Sequence, residues 1–151
     1  MRLSDRREFV AKVVSSLQAD RKVEFAVVGG AFRDAGYMDR LRAAGGDRLK
    51  LLGHIAGAHR IAAAFDLHVT PTHLPGESFG MAFAEAMAHG VAGITMNYGA
   101  SAEVCEHGVS GLALPFSKGV WRREISRLID EPERLVRMSA AARTRIAERF
   151  S

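Results

Sequence analysis

The stretch VEFAVVGG (residues 23–30) is apolar but for Glu24 and stops at a pair of glycines. A continuous apolar run closed by a turn signal reads as a strand buried on both faces, and such strands belong to parallel sheets covered by helices. The pattern returns along the chain. LKLL (49–52) ends at Gly53-His54, DLHVTP (66–71) runs into a loop rich in Pro and Gly, and AGITM (92–96) and GLALP (111–115) follow. Helical spacing fills the intervals. Phe9, Val10, Val13, Val14 and Leu17 recur three and four residues apart over 5–17, with Ser4 placed to cap that helix. Shorter helices are expected over 35–41, over AGAHRIAAA (56–64), over 80–89 and around 101–106. Two more, 118–129 and 131–149, close the chain and are hinged at residues 130–132. Strands alternating with helices predict an α/β fold: one doubly wound, Rossmann-like parallel sheet in a single domain, 1–151. The first helix opens with almost nothing ahead of it, where a doubly wound unit has a strand. The chain reads as starting one strand late.

Bulk properties narrow the function. With 151 residues, 48% hydrophobic and 25% charged, the chain can build one sizeable core. No apolar run approaches the ~20 residues of a membrane span, and MRLSDRREFV lacks the apolar stretch of a signal peptide. Cys105 is the only cysteine, so no internal disulfide and no thiolate metal cluster is expected, and a cytoplasmic location is the default. The net charge of +4 comes from scattered residues, with alternating signs in the late helices and few aromatics, so no nucleic-acid partner is expected. The six histidines form no i, i+4 pair and have no cysteine partners, which disfavours zinc. Cys105 reads as a small buried residue, Trp121, Ile125 and Leu128 as core or interface, and Met81 and Met87 as packing residues.

In open parallel sheets ligands sit beyond the carboxyl ends of the strands. Those ends carry Gly29-Gly30, Gly53-His54, residues 71–80, residues 97–101 and Pro115. Within ESFGMAFAEAMAHG (77–90), Glu85 is the one charge in a run of Met, Ala and Phe. So apolar a helix expects burial, and a buried carboxylate costs several kcal/mol unless paired. Two readings stay open. A neighbouring loop satisfies Glu85 and stitches the fold, or a ligand's hydroxyl pair satisfies it at the sheet edge. Before it, a loop feeds the helix, whose free N–H groups over residues 79–82 form an anion site, with Gly80 allowing close approach. Glu77 or Ser78 merely capping that helix is the structural alternative.

ESFGMAFAEAMAHG resembles the E-x7-E motif of retaining glycosyltransferases with the GT-B fold, of the family-4 type. NYGASAEVCEHGVSGLALP resembles the family's glycine-and-glutamate loop and the turn after it. KLLGHI is similar to its loop beside the nucleotide base, EFAVVGG to its strand and glycine turn, RLSDRREF to its opening Arg-Leu segment, and DEPERLVRMSAAARTRIAERFS to its late helix. The resemblance spans essentially the whole chain in the right order. It implies the donor-binding C-terminal domain of a hexosyltransferase-type enzyme of carbohydrate biosynthesis, with a nucleotide-diphosphate sugar as substrate. By position, Glu85 would accept hydrogen bonds from the ribose hydroxyls and Glu77 would sit by the transferred sugar. The backbone of Ser78, Phe79, Gly80 and Met81 would hold sugar and diphosphate. His54 and Ile55 would lie by the base, and Gly29 and Gly30 would form the glycine turn. Arg2 matches the family's arginine. Arg7 stands where the family has lysine, a departure that changes reach and geometry. No D-x-D occurs, so no metal and no cofactor is expected.

The resemblance further implies that the N-terminal acceptor domain is missing, as are a first strand and the segment that crosses back after Ser151. Any peripheral membrane association would run through that domain. The chain alone is expected to bind nucleotide-sugar weakly and to transfer little or nothing. A stand-alone nucleotide-binding pseudoenzyme module is the alternative, and a nonhydrolysing sugar-nucleotide epimerase a less favoured third.

Overall fold

The computed structural model describes residues 3–17, 22–29, 36–71 and 80–150, with side chains from residue 8 onward. The element order is α1 (Leu3–Ser15), β1 (Phe25–Val28), α2 (Tyr37–Gly45), β2 (Leu49–Gly53), β3 (His68–Thr70), α3 (Met81–Ala88), β4 (Gly93–Met96), α4 (Ala100–Val104), β5 (Gly111–Leu114), α5 (Lys118–Asp130) and α6 (Pro132–Arg149). This is the alternation the sequence predicts, with two local differences. Ser4 lies inside α1, not before it. Ala58–Ala64 is a 3-10 helix, not an α-helix. None of its residues is buried, and short helices without a packed face lack the tertiary contacts that supply most helical stability.

All pairings between named strands are parallel. They form two groups, β1-β2 and β3-β4-β5, where the sequence reading expects one sheet; among the described residues no backbone pairing joins the groups. The chain correspondingly divides into two compact units, Met1–Ala58 and His59–Ser151.

In the first unit, Val10, Val13 and Val14 of the expected stripe are buried on α1 and Leu17 just beyond it, Phe9 is half-buried, and Ala11 is buried besides. Ala11 clusters with Tyr37 and Leu41 of α2, and Phe25, Leu49 and Leu51 of the two strands pack on that cluster. The Arg40 guanidinium donates to Glu8 at 2.9 Å across the helix pair. Arg48 reaches back to the carbonyls of Val14 and Leu17 at the end of α1. Both strands end at glycines with positive φ, Gly29 at 114° and Gly53 at 68°, and the Gly29 N–H donates to the Gly53 carbonyl at 2.7 Å.

In the second unit β4 lies between β3 and β5 and every one of its residues is buried. Phe83, Ala84 and Met87 of α3 form a core with Val104, Cys105 and Ala142, so that α3, α4 and α6 share one cluster. Gly93 makes this fit possible, because any Cβ there would collide with the Phe83 ring. Trp121, Ile125 and Leu128 are core, and the Trp121 indole N–H donates to the Pro115 carbonyl at 2.8 Å. Cys105 is buried, as expected, and its thiol is pushed up to about 11, which leaves it inert. No helix among the described residues is long and apolar enough to cross a membrane.

Two stability predictions follow from this core. Burial holds His68, whose ring lies 6.1 Å from that of Phe83, down at about 4 against the ordinary 6.5. The native state therefore keeps His68 neutral where the unfolded chain protonates it. Its contribution is intact above pH 6.5 and is lost as pH falls from 6.5 towards 4. Urea unfolding at pH 7 and pH 5 should show a drop of about 2 kcal/mol that His68→Gln abolishes. Thr95, fully buried on β4, has no hydrogen-bond partner for its hydroxyl among the described residues. Thr95→Val keeps the shape without the polar atom and should raise stability by about 1 kcal/mol in the same measurement.

Candidate functional site

The sheet of the second unit presents its carboxyl edge through two segments. One enters α3 at Gly80 after β3, and the other runs from Asn97 to Ser101 after β4. Gly80 is the N-cap of α3, in the left-handed region with φ 66° and ψ 51°, which glycine alone adopts freely. It is buried against α4: a Cβ on Gly80 would lie 2.5 Å from the Ser101 Oγ. The Gly80 carbonyl accepts from Phe83 and Ala84 at 2.9 and 3.1 Å, while the amides of Met81 and Ala82 have no acceptor among the described residues.

The axial rotation of α3 overturns the premise on which Glu85 was singled out. The helix is not buried all round. Phe83, Ala84, Ala86 and Met87 face the core, whereas Met81, Ala82, Glu85 and Ala88 are exposed. Glu85 therefore has no burial cost to offset, and its carboxylate has no hydrogen-bond or ion-pair partner among the described residues. Met81 is a second correction, being 60% exposed and one turn from Glu85 on the same face, not a packing residue. Met87 does pack, fully buried. Helix composition misled here because alanine is apolar yet small enough to stand in water at little cost.

A brace from α6 fixes the loop after β4. Arg145 donates through Nε to the Val104 carbonyl at 2.6 Å and through Nη2 to that of Glu103 at 3.0 Å, satisfying the end of α4. The Ser139 hydroxyl accepts from the Ala92 amide at 3.2 Å, just before β4. Beyond α4, the Ser110 hydroxyl accepts from the Glu106 amide and His107 Nδ1 from the Ala113 amide, tying down the turn into β5. Sequence reading gave no individual role to Arg145 or Ser101, although both lie in segments that carry the resemblance, because what each faces lies 21 or more residues away.

In the first unit, Gly29 closes β1 with a positive φ, and His54 and Ile55 follow β2, His54 exposed and Ile55 half-buried. Arg7 lies on α1. Arg2, Gly30, His73, Glu77, Ser78 and Phe79 lie outside the described residues.

Residues 2–131 match the model of a family described as "Glycosyl transferases group 1". Among curated protein sequences there is no significant match. Solved structures share the fold. All of this chain superposes on 43% of Alr3699/HepE from Anabaena, solved with UDP and glucose, at a TM-score of 0.86 and 24% identity. The UDP-glucose complex of the same protein gives 25% identity. The C-terminal domain of the group 1 protein LpcC from Francisella tularensis is matched over 82% of its length, at 0.81 and 23%. TarM from S. aureus, in a complex that includes UDP, is matched over 31% of its chain at 0.84 and 20%. The chain thus spans less than half the length of HepE or TarM. On the family match across most of its length, and with the Rossmann-like fold of the C-terminal half of a GT-B glycosyltransferase, the chain belongs to the glycosyl transferases group 1 family.

Proposed function

We propose that this chain is the donor-binding domain of a retaining, metal-independent glycosyltransferase that takes a nucleoside-diphosphate sugar. UDP and UDP-glucose in the HepE structures make a uridine donor the first candidate. The observation that carries the proposal is the unsatisfied face of α3. An exposed carboxylate, Glu85, stands one turn along α3 from the Met81 and Ala82 amides, which have no acceptor among the described residues, at the carboxyl edge of a parallel sheet. A ribose diol can donate two hydrogen bonds to one carboxylate, and charge-assisted bonds of this kind are the strong ones. The helix start supplies N–H groups and a positive dipole end for the diphosphate.

In this reading the residues divide the work. Glu85 holds the ribose, Ile55 and His54 lie by the base, and Gly29 and Gly30 leave room for the ligand. Glu77 and the backbone of Ser78 to Met81 orient the transferred sugar. As the glycosidic bond breaks, negative charge gathers on the leaving diphosphate. Arg2, Arg7 and the α3 amides stabilise that charge where a metal would otherwise stand. An acceptor domain of the same enzyme supplies the opposite wall of the cleft, so this chain binds donor without efficient transfer.

Calorimetric titration with UDP, GDP, ADP and their glucose conjugates tests the proposal. One of the three base series should bind, and 5 mM EDTA (a concentration on the order of that used to strip divalent ions) should leave its affinity unchanged. Glu85→Gln should weaken that ligand at least about tenfold. The melting temperature without ligand should stay put, since surface substitutions move stability by only about ±0.5 kcal/mol. Failure of all three series, or a Glu85→Gln variant that binds normally, would sink the donor-site assignment. Hydrolysis or transfer at enzyme-like rates by the isolated chain would overturn the donor-only reading.

A further inference from the structure

We infer that Ser101 is a ligand-binding residue whose hydroxyl, with the Met81 and Ala82 amides, receives a phosphate oxygen of the nucleoside diphosphate. The inference rests on the proposed donor site and adds to it a residue to which the sequence reading gave no role.

Ser101 is only 6% exposed, yet its hydroxyl has no hydrogen-bond partner among the described residues. Buried hydroxyls are nearly always satisfied, so one without a partner among the described residues is a candidate to meet a ligand. The oxygen is not sealed in. The fully enclosed, unpartnered side-chain oxygen among the described residues is that of Thr95, and Ser101 Oγ is not in that class. A ligand atom can therefore reach it.

Its place in the fold says which atom. Ser101 Oγ lies 2.5 Å from where a Gly80 side chain would begin, and Gly80 is the N-cap of α3. An N-cap side chain normally accepts from the first helical amides, and glycine has none. Ser101 stands beside the vacant capping position but makes no hydrogen bond to the amides. The Ser101 hydroxyl, packed against Gly80, can donate, as can the Met81 and Ala82 amides at the positive end of this eight-residue helix. A negatively charged oxygen suits such a set of donors. The brace from Arg145 holds α4, and Ser101 with it, in this position.

The test begins by finding which of UDP, GDP and ADP the wild-type chain binds in calorimetry. The chosen diphosphate and its nucleoside are then titrated into Ser101→Ala, the nucleoside by NMR shifts. Diphosphate affinity should fall about tenfold, the low end for a hydrogen bond to a charged group, while nucleoside affinity holds. The unliganded melting temperature should be unchanged or higher, because the substitution deletes an unpaired polar atom. A structural role for Ser101 predicts the reverse: a lower melting temperature and equal losses for diphosphate and nucleoside. That outcome overturns the inference, as does unchanged diphosphate affinity. If the wild type binds none of the three diphosphates, the donor reading falls and takes this inference with it. If the wild type binds and the variant binds equally well, only the Ser101 assignment falls.

Discussion

The seating of Phe83 over Gly93 sets the geometry of the second unit. The ring occupies the space that any side chain at that position of β4 would need, so α3 lies close on the sheet with one rotation about its axis. Ridges of close-packed helices cannot turn without opening voids, and a void of one methyl group costs on the order of 1 kcal/mol. With Phe83, Ala84 and Met87 inward, Met81, Glu85 and Ala88 must point outward. The outward position of Glu85 is thus a consequence of core packing, fixed by residues that never touch a ligand.

This alters the physical account of the glutamate. A buried acid would draw its ligand by the need to cancel a desolvation penalty already incurred on folding. An exposed acid has no such penalty and binds only as strongly as the ligand's donors outcompete water. Hydrogen bonds in that situation contribute about 0.5–1.5 kcal/mol when neutral and roughly twice that when charged. A donor half-site of this kind is weak by itself, and closing it from the other side, which lowers the local dielectric, is what would strengthen every charge in it.

Most of the fold was legible in the sequence because its signals are local. Each strand from VEFAVV to GLALP was found within two residues of its observed limits, and the helix pair broken at Pro132 was placed almost to the residue. Non-local facts were not legible. Whether strands join one sheet depends on backbone pairing between segments far apart in the chain, and among the described residues that pairing forms two groups, β1-β2 and β3-β4-β5. Ala58–Ala64 carries the apolar content of a helix without a surface to pack against. The site divides in the same way. Gly80, with its positive φ, and the helix-start amides announce themselves through glycine and loop composition. The exposure of Glu85 could not be read from MAFAEAMA, because a face of alanines looks the same from sequence whether it meets protein or water. Ser101 was invisible because its significance lies in what it faces.

The closing helix, α6, braces the segment around β4 and α4. α6 contacts the β4–α4 segment at both ends, Ser139 at Ala92 before the strand and Arg145 at Val104 and Glu103 after the short helix. A five-residue helix has too few internal hydrogen bonds to hold its own position, and its last carbonyls would otherwise depend on water. Arginine suits the task because its planar fork reaches two carbonyls at once, which the single ammonium of lysine does less well. The loop between those clamps, residues 97–101, is therefore held in place before any ligand arrives. Binding there need not also order the loop, and each ordered residue spared saves about 1–2 kcal/mol of backbone entropy. The long C-terminal helix thus braces the chain on either side of β4 through protein contacts alone.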